Sequence, residues 1–363
     1  MTFMYNIIIM TRQNEGFNNF DDISPNNPEW NHARSIRIPD FILRQRPHPN
    51  KHVPTQGHIT PPTSHVQNQE IVSSPRFDQP VESLDLSNLR EHYAIHTKLF
   101  GTTEQSLRKH SSDDYIFMDA ENNAAGVFDG VGSAVKADEA AYAAGAAAKK
   151  ALARDHVLTE KRAANLMRDA LFAAHEVVCD MDATVPAGRE APATTGTIAQ
   201  VFRNFDGDQY VAVASVGDSR AYIHSPSHDY FSCITTDQTP SRLPQDALRA
   251  RQSRLDHVER RDDYDTLSPE DKRAWQTRNI IGSALGSERV IPQIILHKVS
   301  PGDRIVLTTD GVHDNLSAQQ MRQYIGGSDA AAIPKSLIMS AQDMEDSFRG
   351  KPDDMSCVVI EVQ

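Results

Sequence analysis

The sequence predicts an α+β fold, with antiparallel sheets inside and helices outside. Three observations carry that expectation. Strand-like segments come first, then two helical segments, then more strands, and last a strand–helix–helix–strand run, an order unlike alternating βαβ units. Neighbouring strands are joined by hairpin-length connections, which favour antiparallel pairing. Residues 211–216 are apolar without alternation, as in a strand covered on both faces, and two sheets with helices outside is the most economical layered solution.

Taken in order, residues 11–81 are rich in Asn, Pro, His, Gln and Ser and show neither a helical nor an alternating period. Such a segment lacks the apolar surface to offset the entropy of ordering it, so 1–83 is expected to be a disordered or loosely docked arm. Its histidines have no regular spacing, so a tether is expected over a metal-binding or docking element. The opening MTFMYNIIIM resembles a signal peptide only briefly, lacking a basic start and a small-residue cleavage site. Order is expected to begin near 84–100 and to continue to 363 as one domain. Residues 115–118 and 124–128 read as two strands joined by the polar turn 119–123. Residues 138–153 (DEAAYAAGAAAKKALA) form an alanine-dominated helix whose charges suit the macrodipole. In 159–181, Thr159 can cap a second helix, whose apolar face is Ala163, Leu166, Met167, Ala170, Leu171, Ala174, Val177 and Val178.

Strands are expected at 197–202, 210–216, 220–224 and 231–235, with Asp206-Gly207 turning the first hairpin. Residues 241–278 are highly charged and helical in pieces, a solvated surface insertion or a flap beside an active site. The chain closes with a strand at 304–309, helices from about 317 and around 333–344, and a strand at 356–362.

With 363 residues, 39% hydrophobic, the chain can bury one large core or two modest ones. A formal charge of −12 argues against nucleic acid, whose backbone favours a basic surface. Three scattered cysteines (Cys179, Cys233, Cys357) without CxxC spacing read as small buried hydrophobes in a reducing compartment. No stretch approaches the ~18 uninterrupted apolar residues of a spanning helix, so a soluble cytoplasmic protein is expected.

The chemistry gathers at acidic strand ends. One apolar run stops at Asp129-Gly130 and another at Asp310-Gly311; Asp113-Asp114 and Asp353-Asp354 stand just before two more. A lone Asp-Gly is usually a turn. Four acidic strand ends in one chain suggest convergence into an oxygen-rich site for Mg²⁺ or Mn²⁺, because gathered carboxylates repel unless a cation joins them.

At this point the residues resemble a known family. GVFDG (126–130), ATTGTIA (193–199), ASVGDSRAYI (214–223), ITTDQ (234–238), NIIGSALGS (279–287), PGDRIVLTTDGVHDNLS (301–317) and PDDMSCVVIEV (352–362) look like the successive motifs of the metal-dependent PPM-type Ser/Thr phosphatases, the protein phosphatase 2C family. The likeness runs from about residue 84 to the C-terminus and is closest to the bacterial-style branch. It implies a four-layer αββα sandwich with two central antiparallel sheets and two, or three, Mn²⁺ or Mg²⁺ ions at one end. It further implies that Asp129 bridges two metals, that the Gly130 carbonyl contacts one, and that Asp310 and Asp353 complete the first. Asp113 and Asp114 fall on the second metal's side, Asp354 takes the usual Asn position as a neighbour, and Asp218 matches a residue tied to a weaker third metal or is a plain turn carboxylate. The family's phosphate-gripping arginine is replaced by Lys109, with Arg108 adjacent; lysine lacks the bidentate fork. Val131 stands where many eukaryotic members have His, and His110 and His313 are nearby in sequence only.

The implied reaction is hydrolysis of phosphoserine or phosphothreonine in phosphoproteins by a metal-bridged hydroxide, with no covalent intermediate. The alternatives are a pseudophosphatase scaffold, against which the filled acidic positions argue, and a small-molecule phosphomonoesterase.

Overall fold

The computed structural model describes residues 7–10, 96–106, 112–152, 159–182, 190–327 and 329–363. Two sheets face each other. The first comprises β1 (Ile7–Met10), β3 (Asp114–Asp119), β4 (Ala124–Asp129), β5 (Gly196–Arg203), β6 (Gln209–Val216) and β9 (Gln293–Val299), in the order β1-β9-β6-β5-β4-β3. The second comprises β2 (Thr97–Glu104), β7 (Arg220–Ser225), β8 (Tyr230–Cys233), β10 (Arg304–Thr308) and β11 (Met355–Val362), in the order β2-β11-β10-β7-β8. Helices α1 (Ala137–Leu152) and α2 (Glu160–Asp182) cover the first sheet; α7 (Ala318–Gly327) and α8 (Ile333–Asp343) cover the second. This is the expected αββα sandwich.

Period-2 alternation explains why one strand can serve two cores at once. In β4, Ala124 and Phe128 face the helices, whereas Ala125 and Val127 enter the space between the sheets. Ala212, Ala214 and Val216 of β6 alternate in the same way with Val211 and Val213. On the second sheet, Ile305 and Leu307 of β10 point inward and Val306 outward to the α7–α8 layer. The apolar runs in the sequence thus record burial on both faces.

Most helices and turns sit where the sequence places them. Thr159 Oγ1 accepts the Arg162 N–H at 3.2 Å, the expected N-cap. Of the expected α2 face, only Val177 is exposed; the 3.6 period carries it to the rim. In the Asp206-Gly207 hairpin, Gly207 has φ +86° and its N–H reaches the Asn204 carbonyl at 3.0 Å. The alanine richness of α1 reflects close approach to the sheet: a Cβ on Gly145 would lie 2.4 Å from the Tyr115 ring.

Three strands had no counterpart in the sequence reading. β2 and β9 are short of periodic signal, and β1 lies within the segment read as an arm. β1 pairs with the outer edge of β9, Ile7 opposite Ile294, and is parallel to it, so the first sheet is not antiparallel throughout. Its β-branched residues suit an edge that would otherwise present unpaired backbone groups. The remainder of the arm, and the start expected for the domain near residue 84, lie outside the described residues.

The charged stretch 241–278 folds into α3 (Gln245–Asp256), α4 (Arg261–Thr266) and α5 (Pro269–Gln276) around a small core of Val258, Tyr264 and Trp275. It is anchored rather than loose. Arg220 of β7 donates to Asp237 at 2.6 Å and to Asp256 of α3 at 3.0 Å. Arg349 donates to the carbonyls of Leu255, Val258 and His313, and its guanidinium lies over Trp275 at 5.1 Å.

Candidate metal centre

One end of the sandwich collects the acidic strand ends. In the β3–β4 ladder Asp114 and Asp129 are directly opposite each other. Asp310 opens the one-turn helix α6 (Asp310–His313) where β10 ends, and Asp353 and Asp354 precede β11, the strand paired with β10. The two sheets are stitched together here: Thr309 Oγ1 donates to Asp114 Oδ2 at 2.8 Å and accepts the Ser356 N–H at 2.9 Å. Sheet pairing thus brings together residues up to 240 positions apart, from Asp114 to Asp354.

The backbone of Asp129 is held from both sides. Its N–H donates to Thr195 Oγ1 at 3.0 Å, and its carbonyl accepts from Thr194 Oγ1 and from the Thr195 N–H, each at 2.8 Å. These contacts explain the ATTG motif. Thr194 is in turn bridged to Leu285 of the ALGS segment. The Gly130 N–H reaches the Asp113 carbonyl at 3.0 Å, and a Cβ on Gly130 would lie 2.5 Å from the Ala137 carbonyl oxygen. A Cβ on Gly311 would meet the Asp354 carbonyl oxygen at 2.0 Å. Both glycines of the Asp-Gly pairs therefore serve close backbone approach.

The carboxylates strain against their surroundings. Burial, and then repulsion by Asp114, Asp310, Asp353 and Asp218, push Asp129 well above the usual carboxylate range. Burial lifts Asp114 to about 7, although hydrogen bonds from Ser356 and Thr309 oppose it. Asp218 is buried and raised by burial and by Asp310 and Asp237, so it flanks the cluster rather than sitting in an open turn. Asp310 is raised by burial, with Lys351 opposing and Asp353 and Asp314 reinforcing.

Asp114 Oδ1 and Asp310 Oδ1 are buried with no hydrogen-bond partner. Hard oxygen donors with lone pairs left over, and protonation favoured by mutual repulsion, are what a divalent cation would correct. The donor set therefore fits Mg²⁺ or Mn²⁺. Among the described residues, however, no group of three or more Asp, Glu, His or Cys side chains stands assembled to hold an ion.

Asp354 serves the site from behind. Buried, it accepts the Ser106 N–H on Oδ1 and the Asp113 N–H on Oδ2, each at 2.8 Å. An asparagine amide could accept only one of these. Asp354 thereby ties Ser106 to Asp113; Arg108, Lys109 and His110 lie outside the described residues. Sequence reasoning missed Lys351, whose ammonium pairs with Asp310, lies 3.3 Å from Asp353 Oδ2 and lies 3.6 Å from Asp314 Oδ2. Its signal was slight, a lysine two residues before Asp353. Cys233 is pushed up to about 12 by burial and Cys357 higher still, so both are inert thiols; Cys179 is exposed rather than buried as expected.

His313 is buried beneath α6 with Nδ1 2.9 Å from Thr308 Oγ1. Burial, with Arg220, Lys351 and Arg349 nearby, holds it well below 6.5, so it is neutral and structural. Because the unfolded chain takes a proton near pH 6.5 that the folded chain refuses, this group's contribution is complete above pH 6.5 and declines as pH falls below it. Thermal unfolding in chelator between pH 7 and 5.5 is expected to show the decline in wild type relative to His313→Gln, by up to about 1.4 kcal/mol per pH unit. Parallel curves for the two proteins would contradict the neutral assignment.

The two-sheet sandwich is shared with solved phosphatase structures. The catalytic domain of the serine/threonine protein phosphatase PstP, determined in complex with 2 manganese ions, superposes with TM-score 0.56 at 20% identity, covering 74% of this chain and 99% of that one. Stp1 from Staphylococcus aureus matches with TM-score 0.56 at 18% identity, over 74% and 96% of the two chains. PppA, a regulatory component of T6SS in Pseudomonas aeruginosa, matches with TM-score 0.55 at 15% identity, over 74% and 98%. At these identities the likeness establishes the fold. A family profile, Protein phosphatase 2C, matches residues 103–338, and the chain belongs to that family. A sequence search of curated proteins found no match. Among the described residues no helix is long and apolar enough to cross a membrane.

Proposed function

We propose that this chain is a Mn²⁺- or Mg²⁺-dependent protein Ser/Thr phosphatase that hydrolyses phosphoserine and phosphothreonine in phosphoproteins. The observation that carries the reading is the meeting of Asp114, Asp129, Asp310 and Asp353 at one end of a phosphatase-family sandwich, with one buried oxygen each of Asp114 and Asp310 left without a hydrogen-bond partner. Membership of the family and the two manganese ions bound by PstP support it.

In this reading Asp129 and Asp310, with Asp353 and the Gly130 carbonyl, hold the ions, and Asp113 and Asp114 flank them. Asp218 stands where a further ion would bind. The chemistry such ions would supply when held by these residues is activation of water as a nucleophile near neutral pH. Thr194 and Thr195 fix Asp129, and Thr309 orients Asp114. Arg108 and Lys109 are the proposed phosphate-binding cations. The α3–α5 insertion is tied to β7 through Arg220 and to α6 through Arg349, which supports reading it as a wall of the site over a swinging flap.

The test is hydrolysis of a phosphothreonine peptide with Mn²⁺, with chelator, and by Asp310→Asn. Turnover should require metal and collapse in the variant. A folded protein that binds Mn²⁺ yet cleaves only nucleotides or sugar phosphates would move the assignment to small-molecule substrates. Neither metal binding nor turnover would leave a scaffold.

A further inference from the structure

Lysines usually snorkel to solvent, but Lys351 turns inward. Its backbone is fixed first: the Lys351 N–H donates to Asn315 Oδ1 and its carbonyl accepts from Asn315 Nδ2, both at 2.7 Å. The same Asn315 amide also donates to the Gly311 carbonyl at 2.7 Å, tying this segment to α6. Upstream, Gly350 sits so tightly that a Cβ would lie 2.0 Å from the Glu345 carbonyl oxygen. The side chain therefore leaves a clamped backbone and is only 20% exposed, with Asp310, Asp314 and Asp353 around its ammonium.

We propose that Lys351 is a tethered internal cation seated among Asp310, Asp314 and Asp353, and that a divalent ion must displace it to bind. The idea rests on the metal reading above and adds a competitor built into the chain. Two of the three carboxylates are ones a first metal would need, and an ammonium and a divalent ion cannot share them at contact distance. The consequence is a site kept folded without metal and tuned to respond only when the divalent ion is sufficiently concentrated.

The experiment uses the full chain, stripped of metal, as wild type, Lys351→Met and Lys351→Arg. Mn²⁺ binding is followed by calorimetry and thermal unfolding is followed in chelator. Methionine keeps the length and removes the charge. It should bind Mn²⁺ at least about tenfold more tightly and unfold about 4 °C or more lower in chelator. Arginine keeps the charge, so Lys351→Arg should unfold near the wild-type temperature and bind Mn²⁺ no more tightly than wild type. Equal or weaker Mn²⁺ binding by Lys351→Met, with wild type binding normally, would overturn displacement and leave the metal reading standing. Failure of all three folded proteins to take up Mn²⁺ would overturn both.

Discussion

Replacing Asp129 with asparagine should nearly abolish Mn²⁺-dependent hydrolysis of a phosphothreonine peptide while leaving the chelated protein at least as stable as wild type. The two effects have one cause. Asp129 is raised well above the usual carboxylate range because burial and four neighbouring aspartates oppose its charge, so without metal that charge is a liability to the fold. Asparagine removes it, and the Thr194 and Thr195 contacts that place the residue are to its backbone and are kept. With metal the balance reverses. A carboxylate proposed to bridge two ions contributes several kcal/mol of charge stabilisation, so its loss should lower kcat/KM on the order of 10³-fold or more. Mn²⁺ should also raise the unfolding temperature of wild type much more than that of the variant. Wild-type turnover in Asp129→Asn would sink the proposed centre. A chelated variant markedly less stable than wild type would show that Asp129 instead supports the fold.

The second large effect is expected at Arg220→Met, and it falls on stability. Arg220 is buried on β7 between Asp237 and Asp256, and it also lies near Tyr222. Even with that guanidinium present, burial leaves Asp237 above its ordinary value. Removing one partner of a buried ionic group typically costs about 3–5 kcal/mol, because the remaining charges are left unmatched. The loss should be read by urea denaturation in chelator, with Arg220→Met/Asp237→Asn recovering part of it. Because Asp256 belongs to α3, the insertion should also become protease-sensitive in the single variant. A loss below about 1 kcal/mol would place the network among the weak surface pairs and remove the argument that it holds the insertion against β7.

Much of this was legible in the sequence because it is local. Apolar runs bounded by turn residues located β3 to β8, β10 and β11, and Thr159 announced the start of α2. Asp129 and Asp310 could be picked out because each ends an apolar run at a glycine. β9 escaped notice because Gln293, His297 and Lys298 interrupt its apolar run, and β1 because its pairing with β9 is decided by an edge some 280 residues away, a separation no local pattern reports. Val177 was placed inside by its helical spacing and Cys179 by residue type, whereas the rim of α2 leaves both exposed.

The sequence by itself determined the layers, the order of the elements and the family, since period, propensity and ordered motifs are properties of contiguous residues. Only the tertiary structure decided what the acidic strand ends meet. It set Asp114 opposite Asp129, turned Asp354 into a clamp on Ser106 and Asp113, and brought the insertion against α6. It also seated Lys351 among the carboxylates. Those outcomes depend on how two sheets pack and pair across hundreds of residues. Charge and burial act through distance in space, not along the chain.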